Sequence, residues 1–502
     1  MTEVELRLQI PPASLAGVER ELARGATRRL RLQAVYFDTA DRRLGAAGLA
    51  LRLRKEGRRW VQTLKSGSAH GIERGEHNVA LGLPAGLEPA VDPALHAGTP
   101  AGDALAALLA PAADAAVPAL LPLYRTEVWR RQRLLRSRRG SVELALDRGE
   151  IVASGPDGTL RRWPLCELEV ELKSGSPLAV TDVAAGWAAR HGLWPDSRSK
   201  AERGDRLSRG LGPGDAVPAG KAQPLRWRKS MTPAEAWAAL LANVLAQALP
   251  NWCEVAAGSP AAEPVHQLRV ALRRLRSAER FVAGWPGVLP GDWGEAAAAL
   301  FRRLGATRDR DVLTSGPQRA VDAALAALGE PALALPAAAD APDWSDAERA
   351  RHGVLLLHLQ AALLAPAEPA GEAAELRALA AARLGDWHER LRKDAKRFAA
   401  LDDAARHRVR KRVKRLRYAV EFAAALFPKA PVEAYLARLR EAQERLGEFN
   451  DLCVALAAYR SLAATEPRAW FALGWLAARR EAALADCAAA LVRWRKAEAF
   501  WS

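Results

Sequence analysis

Cysteines are scarce in this chain, with only four in 502 residues, and no two of them form a CxxC pair. Their spacing fits neither a zinc site nor a disulfide framework, and it favours a reducing compartment. The first residues show no basic stretch followed by an apolar run, so a secretory signal peptide is not expected. A run of about 18 apolar residues without a charge or a proline is also missing, which argues against a membrane span. The sequence therefore predicts a soluble, cytoplasmic protein.

Acidic residues are too few to balance the basic ones. The chain has 58 Asp and Glu against 74 Lys and Arg, a formal net charge of +16. Such an excess indicates an anionic partner, which could be nucleic acid, a phosphate polymer or a membrane surface. Helix-turn-helix, RRM and zinc patterns are all lacking, so a specific nucleic-acid partner is not expected. The length exceeds what one hydrophobic core usually serves, and two or three domains are predicted.

The first 200 residues contain several short runs with the residue pattern of β-strands. In Thr2–Ile10 apolar and charged residues alternate strictly, which is the period of a strand with one buried face. Short runs of similar character follow at Leu49–Lys55, Trp60–Leu64, Glu73–Leu81, Tyr124–Leu135, Gly140–Asp147 and Pro164–Lys173. Many such runs without alternating helices predict an antiparallel barrel or sandwich.

A linker is predicted at residues 206–228, which are rich in glycine and proline. From 229 to 502 alanine, leucine and arginine recur at helical spacing, so this region is predicted to be all-α. Two sets of its residues occur twice in the same order: His266, Arg269, Arg273 and Arg276 match His407, Arg410, Lys414 and Arg417, and Arg308-Asp309 matches Asn450-Asp451. The repetition predicts two tandem helical bundles, over about 229–365 and 372–502.

Charged residues of one sign are grouped on single faces of the predicted strands. Glu3 and Glu5 share one face, and Glu167, Glu169 and Glu171 share another. Such faces are commonly the solvated side of an antiparallel sheet, which is the better interpretation of any one strand taken alone. Acids grouped on some strands and arginines on others favour a site for a divalent metal and a phosphate chain, because hard oxygen ligands suit Mg²⁺ or Mn²⁺ and guanidinium groups suit phosphate oxygens.

A series of short motifs resembles the CYTH superfamily, which is named for class IV adenylate cyclase and thiamine triphosphatase. The motifs are Glu3-Val4-Glu5-Leu6-Arg7, Tyr36-Phe37-Asp38-Thr39, Leu51-Arg52-Leu53-Arg54, Gln62-Thr63-Leu64-Lys65, Tyr124-Arg125-Thr126-Glu127, Glu143-Leu144-Ala145-Leu146-Asp147, Glu167-Leu168-Glu169-Val170-Glu171 and Ser199-Lys200. The resemblance covers residues 1–205 and implies an eight-stranded antiparallel tunnel barrel that holds a triphosphate. Trp60–Lys65 and Cys166–Lys173 are most similar to the bacterial inorganic triphosphatases.

This resemblance also implies a role for individual residues. A divalent metal, Mg²⁺ or Mn²⁺, would be held by Glu3, Glu5, Asp147, Glu169 and Glu171. The triphosphate would be bound by Arg52, Arg54, Lys65, Arg125 and Lys200. Catalytic roles fall to Lys65 and to Arg7, which stands where the family usually has a lysine. Arginine keeps the charge but is not a proton acceptor near neutral pH, so activity would be impaired if the family lysine transfers a proton.

In the helical region each repeated set forms a basic face. At 100° per residue, His266, Arg269, Arg273 and Arg276 fall on one side of a helix beside an apolar stripe, and His407, Arg410, Lys414 and Arg417 do the same. A solvated face is the ordinary explanation of such a row. Few acids stand three or four residues away to neutralise it, however, and an anion-binding groove is the favoured interpretation.

These two sets resemble the motifs of the CHAD domain, the conserved histidine α-helical domain, over residues 229–502. The resemblance implies two four-helix bundles related by a pseudo-two-fold axis, which bind long-chain polyphosphate. The predicted fold class is therefore α+β and multidomain, with a tunnel barrel first and the helical bundles second.

The predicted function is hydrolysis of inorganic triphosphate in the barrel, with the helical region binding polyphosphate and recruiting the chain to polyphosphate granules. Two alternatives stay open: a catalytically weak polyphosphate-binding protein, and a triphosphatase that acts on an organic triphosphate. Adenylate cyclase activity is less favoured, because the barrel shows no base-recognition motif.

Overall fold

The computed structural model describes residues 2–67, 72–82, 89–111, 117–288, 291–305, 316–333, 343–365 and 376–501. Arg308 and Asp309, which the repeat analysis matched to Asn450 and Asp451, lie outside these residues. An antiparallel barrel comes first and a helical region follows it. The predicted fold class is confirmed in that order.

Eight strands close the barrel. They are β1 (Thr2–Gln9), β2 (Arg28–Asp38), β3 (Leu49–Glu56), β4 (Arg59–Ser66), β5 (Glu73–Leu81), β6 (Leu121–Ser137), β7 (Gly140–Ser154) and β8 (Leu160–Gly175). Neighbours pair in the order β5-β4-β3-β2-β6-β7-β8-β1, and β1 also pairs with β5, which completes the circle. The short strand β9 (Trp194–Pro195) is added to the edge of β1.

On the side formed by β1, β7 and β8 the barrel is apolar outside and polar inside. The outward residues Val4, Leu6 and Leu8 of β1 are buried in a core. Helices α1 (Leu15–Leu22) and α4 (Leu178–His191) cover this core. Because side chains of a strand alternate between its two faces, the charged half of β1 must line the interior of the barrel.

Three further helices accompany the barrel: α2 (Arg43–Ala46), α3 (Pro100–Leu109) and α5 (Lys200–Ser208). Helix α5 packs on the barrel through Leu207, which joins a core with Leu32 and Val128. Gly204 allows α5 to approach closely, since a Cβ atom there would lie 2.1 Å from Cδ2 of Tyr124. This approach brings the first residue of α5, Lys200, to the barrel interior.

The helical region contains α6 (Pro233–Ala256), α7 (Ala262–Val282), α8 (Gly294–Arg303), α9 (Pro317–Ala326), α10 (Asp346–Leu364), α11 (Leu376–Lys396), α12 (Asp403–Ala423), α13 (Lys429–Leu462) and α14 (Ala469–Arg495). None of the helices in the described parts of the chain is both long and apolar enough to cross a membrane. The grouping of these helices into two four-helix bundles stays a prediction.

The chain packs as two compact units. The first consists of Met1–Gly220, Leu245–Pro264 and Trp344–Ala365, and so includes the barrel together with α10 and the second half of α6. The second consists of Lys221–Val244, Val265–Asp343 and Pro366–Ser502. The domain bounds 1–205 and 229–502, with the linker between them, remain sequence predictions.

A buried histidine links β4 to the loop before α3. His96 is fully buried, and its Nε2 lies 3.1 Å from Nε2 of Gln62, while its Nδ1 lies 2.9 Å from Nδ1 of His77. The Gln62 amide nitrogen can only donate, so Nε2 of His96 has to accept and therefore carries no proton. Burial, and then the neighbouring His77, lower the pKa of His96 to about 4.

We expect His96 to make the folded chain less stable in mild acid. The unfolded histidine binds a proton near its ordinary pKa of about 6.5, whereas the folded one resists it, so stability falls as the pH drops from about 6.5 towards 4. The slope from one such group is at most about 1.4 kcal/mol per pH unit. The free energy of unfolding of His96→Gln, measured with urea, should depend less on pH than that of the wild type. His358→Gln, which alters an exposed histidine of α10, should keep the wild-type pH dependence.

Candidate active site

The barrel encloses a cavity of about 700 Å³. Its walls are formed by the inward side chains of the strands and by the start of α5. Four of the strands contribute alternate charged residues to it, namely Glu3, Glu5 and Arg7 of β1, Arg52 and Arg54 of β3, Arg74 and Glu76 of β5, and Glu169, Glu171 and Lys173 of β8. The predicted strand faces are therefore the lining of the barrel and not its solvated exterior.

All five predicted metal residues, Glu3, Glu5, Asp147, Glu169 and Glu171, line this cavity. The strand register places acids directly opposite each other. Glu5 of β1 faces Glu171 of β8, and Glu171 also faces Glu143 of β7. Like charges in opposed positions repel, so this row of three carboxylates needs cations among them. Lys173 supplies one, at 2.7 Å from Glu171 and 3.8 Å from Glu143.

A second acidic group lies where β7 and β8 meet α5. Carboxylate oxygens of Asp147, Glu167 and Glu169 all lie within 4.8 Å of one another. Lys200 contacts all three, at 2.7 Å from Asp147, 2.5 Å from Glu167 and 2.6 Å from Glu169. Glu167 is fully buried and is also paired with Arg203. Glu167 was part of the sequence motif but not of the predicted metal set.

The predicted phosphate-binding residues Arg52, Arg54, Lys65 and Lys200 also line the cavity. Lys65 lies 2.6 Å from Glu3 and 2.9 Å from Glu76, and Arg52 donates to the hydroxyl of Tyr36 at 3.2 Å. The predicted catalytic residue Arg7 is 3.4 Å from Glu5. Acids and bases thus alternate around the wall and pair with one another.

The structure does not bring Arg125 to the cavity. Tyr124 and Thr126 of β6 face inwards, so Arg125 between them faces outwards, where its side chain is 52% exposed and 3.5 Å from Glu127. The inward arginine of this strand is Arg130. It contacts Asp147 at 2.6 Å and 2.7 Å and also pairs with Glu169. The role of Arg125 stays a sequence prediction, and the arginine of this strand that reaches the cavity is found by counting in twos from Tyr124 to Arg130.

Two further cavity residues, Arg74 and Glu76, were also missed. Both lie on β5, where Glu76 is opposite Lys65 of β4. Arg74 is 4.0 Å from Glu5. The run Glu73–Leu81 was recognised as a strand, but its charges were not assigned to a face because the apolar residues on it do not alternate regularly.

The pKa values of Glu3 and Glu76, which are hydrogen-bonded to each other, are shifted in opposite directions. Burial, a hydrogen bond with Glu76 and the charge of Glu5 raise the pKa of Glu3 to about 8. Although burial opposes it, the hydrogen bond from Glu3 and the charge of Lys65 hold the pKa of Glu76 well below its usual range. Glu3 is therefore protonated at neutral pH unless a further cation joins the pair.

Glu5 and Glu169 are held in their charged forms, whereas burial raises the pKa of Glu171. Against the effect of burial, Lys65 and Arg7 lower the pKa of Glu5. Arg130 and Lys200 likewise hold the pKa of Glu169 well below its usual range, although burial opposes them. Charged carboxylates that are already buried and in place are what a hard divalent cation requires.

The donor set fits a divalent metal. Carboxylate oxygens are the ligands that Mg²⁺ and Mn²⁺ prefer, and the row Glu5–Glu171–Glu143 presents three of them to the cavity, with Arg7 and Arg74 beside Glu5 and Lys173 beside the other two. The protonated Glu3 is a further ligand that a cation could recruit by displacing its proton.

In the second unit, the first basic set lies along α7 next to α8. Arg269 is largely buried, donates to the carbonyl of Phe301 at 3.3 Å and has its guanidinium carbon 4.3 Å from the centre of the Phe301 ring. Arg273 lies over the same ring at 5.6 Å. Burial and the charge of Arg280 lower the pKa of Arg276. His266 is on this helix as predicted.

The second basic set lies along α12 next to α13. His407 Nδ1 is 3.2 Å from Oδ1 of Asn450, and Arg417 is bonded to Gln443 at 2.7 Å and to Glu421 at 2.5 Å. Burial and the nearby Lys411 lower the pKa of His407. Arg410 and Lys414 occupy the same helix face.

The structure adds Arg415 of α12 to the basic residues named from the sequence. Burial, followed by the charges of Arg280, Arg412 and Arg276, lowers the pKa of Arg415 to about 10. Since Arg276 and Arg280 belong to α7, cations of the two basic helices come close together here. The sequence run Lys414-Arg415-Leu416-Arg417 contained this signal, but only residues at the repeated spacing were chosen.

Family models place this architecture among known domains. A CYTH domain matches residues 1–204 and a CHAD domain matches residues 239–460. Both families, in this order, were predicted from the sequence, and that prediction is confirmed.

Individual proteins similar to this chain share less than a third of their residues with it. An inorganic triphosphatase of Haemophilus influenzae is 28% identical over 210 residues, which are 41% of this chain and 54% of that protein. The chain thus spans about half the length of that curated relative. A crystal structure of the CHAD domain from Ricinus communis is 28% identical, with a TM-score of 0.42, and covers 55% of this chain and 97% of that one. A Hippeastrum protein, HpAC1, with a dominant triphosphatase activity is 19% identical, with a TM-score of 0.29, and covers 43% of this chain and 98% of that one.

Proposed function

We propose that this chain, in which a CYTH domain precedes a CHAD domain, hydrolyses inorganic triphosphate to diphosphate and phosphate in its barrel and binds long-chain polyphosphate through its helical region. The observation that supports the first part is the cavity wall, where carboxylates and cationic groups alternate and pair within about 4 Å of each other. A wall of this kind can exchange its internal ion pairs for ion pairs with a metal–triphosphate complex at little net cost in charge.

The cationic residues would bind and orient the substrate. Arg52, Arg54, Lys65, Arg130 and Lys200 line the cavity, and their charges would offset those of the phosphate oxygens while water attacks the terminal phosphorus atom. Water adds to that phosphorus, the bond to the bridging oxygen breaks, and diphosphate leaves.

The carboxylates would hold the metal and accept protons. Glu3, Glu5, Asp147, Glu169 and Glu171 are the residues that would hold Mg²⁺ or Mn²⁺, which when bound polarises phosphoryl oxygens and neutralises developing charge. Arg7 is not a proton acceptor, because Glu5 and Glu167 raise its pKa although burial opposes them. Lys65 is no better an acceptor, because Glu5 raises its pKa although burial opposes it, so the proton lost by the attacking water would go to a carboxylate or to a phosphate oxygen.

An assay of phosphate release tests this function. The full chain is incubated with pyrophosphate, inorganic triphosphate, ATP, thiamine triphosphate and long-chain polyphosphate, each with Mg²⁺, with Mn²⁺ and with EDTA. Turnover should be greatest with triphosphate and a divalent metal, and EDTA should abolish it. Undiminished turnover in EDTA would remove the metal from the proposal.

An organic triphosphate is a second candidate substrate. Tyr36 and Tyr124 both line the cavity, and their rings are stacked with centroids 4.8 Å apart. Such a pair gives part of the wall an aromatic surface on which an organic group could rest. Faster turnover of thiamine triphosphate or ATP than of inorganic triphosphate in the same assay would favour this candidate.

Arg7 bears on whether the barrel is an efficient enzyme. If this position only neutralises phosphate charge, we expect Arg7→Lys to change turnover less than about threefold. If the family lysine transfers a proton, Arg7→Lys should instead raise turnover, towards the ~10²–10⁴-fold that a general acid or base contributes. Single-turnover rates across pH distinguish the two, because only a titrating lysine adds a new inflection. A large rise would demote the wild-type chain to a weak hydrolase that mainly binds polyphosphate.

The helical region would bind polyphosphate along α7 and α12. Their cations already approach one another at Arg276, Arg280 and Arg415, and a phosphate chain would relieve that repulsion. Through this binding the protein would be recruited to polyphosphate granules in the cytoplasm.

A further inference from the structure

A short segment after β9 holds two of the cavity arginines in place. We call residues 196–199 the strap. The carbonyl of Ser197 accepts hydrogen bonds from Nη2 of Arg7 at 3.3 Å and from Nη2 of Arg74 at 3.5 Å. The backbone N–H of Asp196 also donates to the carbonyl of Arg7 at 3.0 Å. Two guanidinium groups of like charge thus converge on a single carbonyl oxygen, which together with the carboxylate of Glu5 holds both of them in place.

The strap is in turn fixed by α6, outside the barrel. The backbone N–H of Ser197 donates to Sγ of Cys253 at 3.3 Å, and the Ser197 hydroxyl lies 3.4 Å from the same sulfur. Glu254, the next residue of α6, has its Oε1 3.7 Å from Nη1 of Arg198 and 2.7 Å from Nη1 of Arg206. Cys253 and Glu254 belong to the same compact unit as the barrel.

The connection is buried and charged, which makes it stiff. Arg198 is bonded through two nitrogens to Asp196, at 2.9 Å and 2.8 Å, and both side chains are almost fully buried. Nη1 of Arg198 has no hydrogen-bond partner among the described residues, so the carboxylate of Glu254 is its counter-charge. Removing that charge would leave Asp196 as the counter-charge of Arg198, with Nη1 of Arg198 buried and unserved and Arg206 without one of its carboxylate partners, and the strap would be expected to shift in response.

We propose that Cys253 and Glu254 are positioning residues for the triphosphate site, acting through the strap on Arg7 and Arg74. The inference rests on the proposed function of the barrel and deepens it: a helix matched by the CHAD domain contributes to the affinity of the CYTH cavity for triphosphate. Residues 1–204 would then not carry the full binding site by themselves.

The test compares Glu254→Gln and Cys253→Val with the wild type in the full chain. Both variants should raise KM for triphosphate about tenfold with kcat changed less than about threefold, because a misplaced guanidinium group loses contact with bound substrate and transition state alike. The dissociation constant for triphosphate, measured by calorimetry without hydrolysis in EDTA, should rise in parallel. Cys253→Ser, which keeps an acceptor for the Ser197 N–H, should recover part of the affinity.

The controls separate positioning from folding and from the proposed function. Glu235→Gln removes an exposed carboxylate at the other end of α6 and should leave KM unchanged. A merely structural role would lower Tm and the active fraction, and hence kcat, but not KM or the dissociation constant. Variants with wild-type KM and affinity would overturn the inference. A wild-type chain that binds triphosphate without hydrolysing it would overturn the proposed activity but not the positioning role, which the calorimetric affinities still decide.

Discussion

Glu5→Gln is expected to lower triphosphate turnover by about 10²–10³-fold at saturating metal, the size of loss seen when one preorganised electrostatic group is removed from an active site. Glu5 is buried, lies opposite Glu171 and has its pKa lowered by Lys65 and Arg7 against burial. Glutamine keeps its shape and removes its charge. Turnover should recover only partly at high Mn²⁺, because one anionic ligand is permanently lost.

A matched substitution at Glu127 distinguishes the loss of a metal ligand from the loss of any one negative charge on the barrel. Glu127 of β6 also pairs with an arginine, at 3.5 Å from Arg125, but its side chain is outside the cavity and 40% exposed. Glu127→Gln should leave turnover and metal dependence at wild-type values. Equal losses in the two variants, or an undiminished rate in Glu5→Gln, would contradict the metal assignment. Thermal unfolding of both variants checks that the barrel remains folded.

Strand alternation explains how much of the fold was predictable from the sequence. A strand with charged residues on one face and apolar residues on the other is recognisable wherever both faces are regular, as in Thr2–Ile10, and β1 occupies Thr2–Gln9. The strand β2 was seen only through its end, the motif from Tyr36, because arginines at its start obscure the alternation of Leu30, Leu32 and Ala34. The prediction also stopped β7 at Asp147, although the strand continues to Ser154.

Alternation alone does not say which face of a strand is inside. A solvated exterior was the ordinary expectation for charged faces, and the barrel reverses it because α1 and α4 cover the apolar exterior of β1 and β8. Arg125 shows what one residue changes on a strand: it lies between the inward Tyr124 and Thr126 and therefore faces outwards. Arg130 and Arg74 became visible only through the register and their contacts with Asp147 and Glu5.

Contacts between residues far apart in sequence were beyond prediction. Nothing in the segment around Cys253 distinguishes it from any other apolar helix, and its role depends on lying 3.3 Å from the N–H of Ser197. The helical repeats were predictable because their spacing recurs. The burial of Arg269 against Phe301 was not predictable, because the repeat identifies equivalent residues in the two copies but gives no information about how exposed each one is.

Polyphosphate binding by the helical region should depend strongly on salt, and reversing two charges of α12 should weaken it by about 10- to 100-fold at low ionic strength. Arg410 and Lys414 are the better choice for this reversal, because Arg269 of the matching set is largely buried and its substitution would disturb packing. The double variant Arg410→Glu/Lys414→Glu should lower the slope of log affinity against log salt by about 1 to 2 units, since each lost contact releases fewer counterions.

The measurement is a titration of labelled long-chain polyphosphate at several salt concentrations, in a Glu5→Gln background that suppresses hydrolysis. Arg408→Glu/Lys429→Glu serves as the control, because it makes the same change in net charge at exposed positions and should leave the slope near the wild-type value. Equal weakening by both pairs would mean that only net charge matters, and the basic face of α12 would lose its role. Competing duplex DNA should displace polyphosphate poorly at matched phosphate concentration. The DNA duplex is stiff and wide, so it cannot follow one face of a protein helix as a thin, flexible phosphate chain can. Equal displacement by DNA would mean that α12 presents a nonspecific basic surface and not a polyphosphate site.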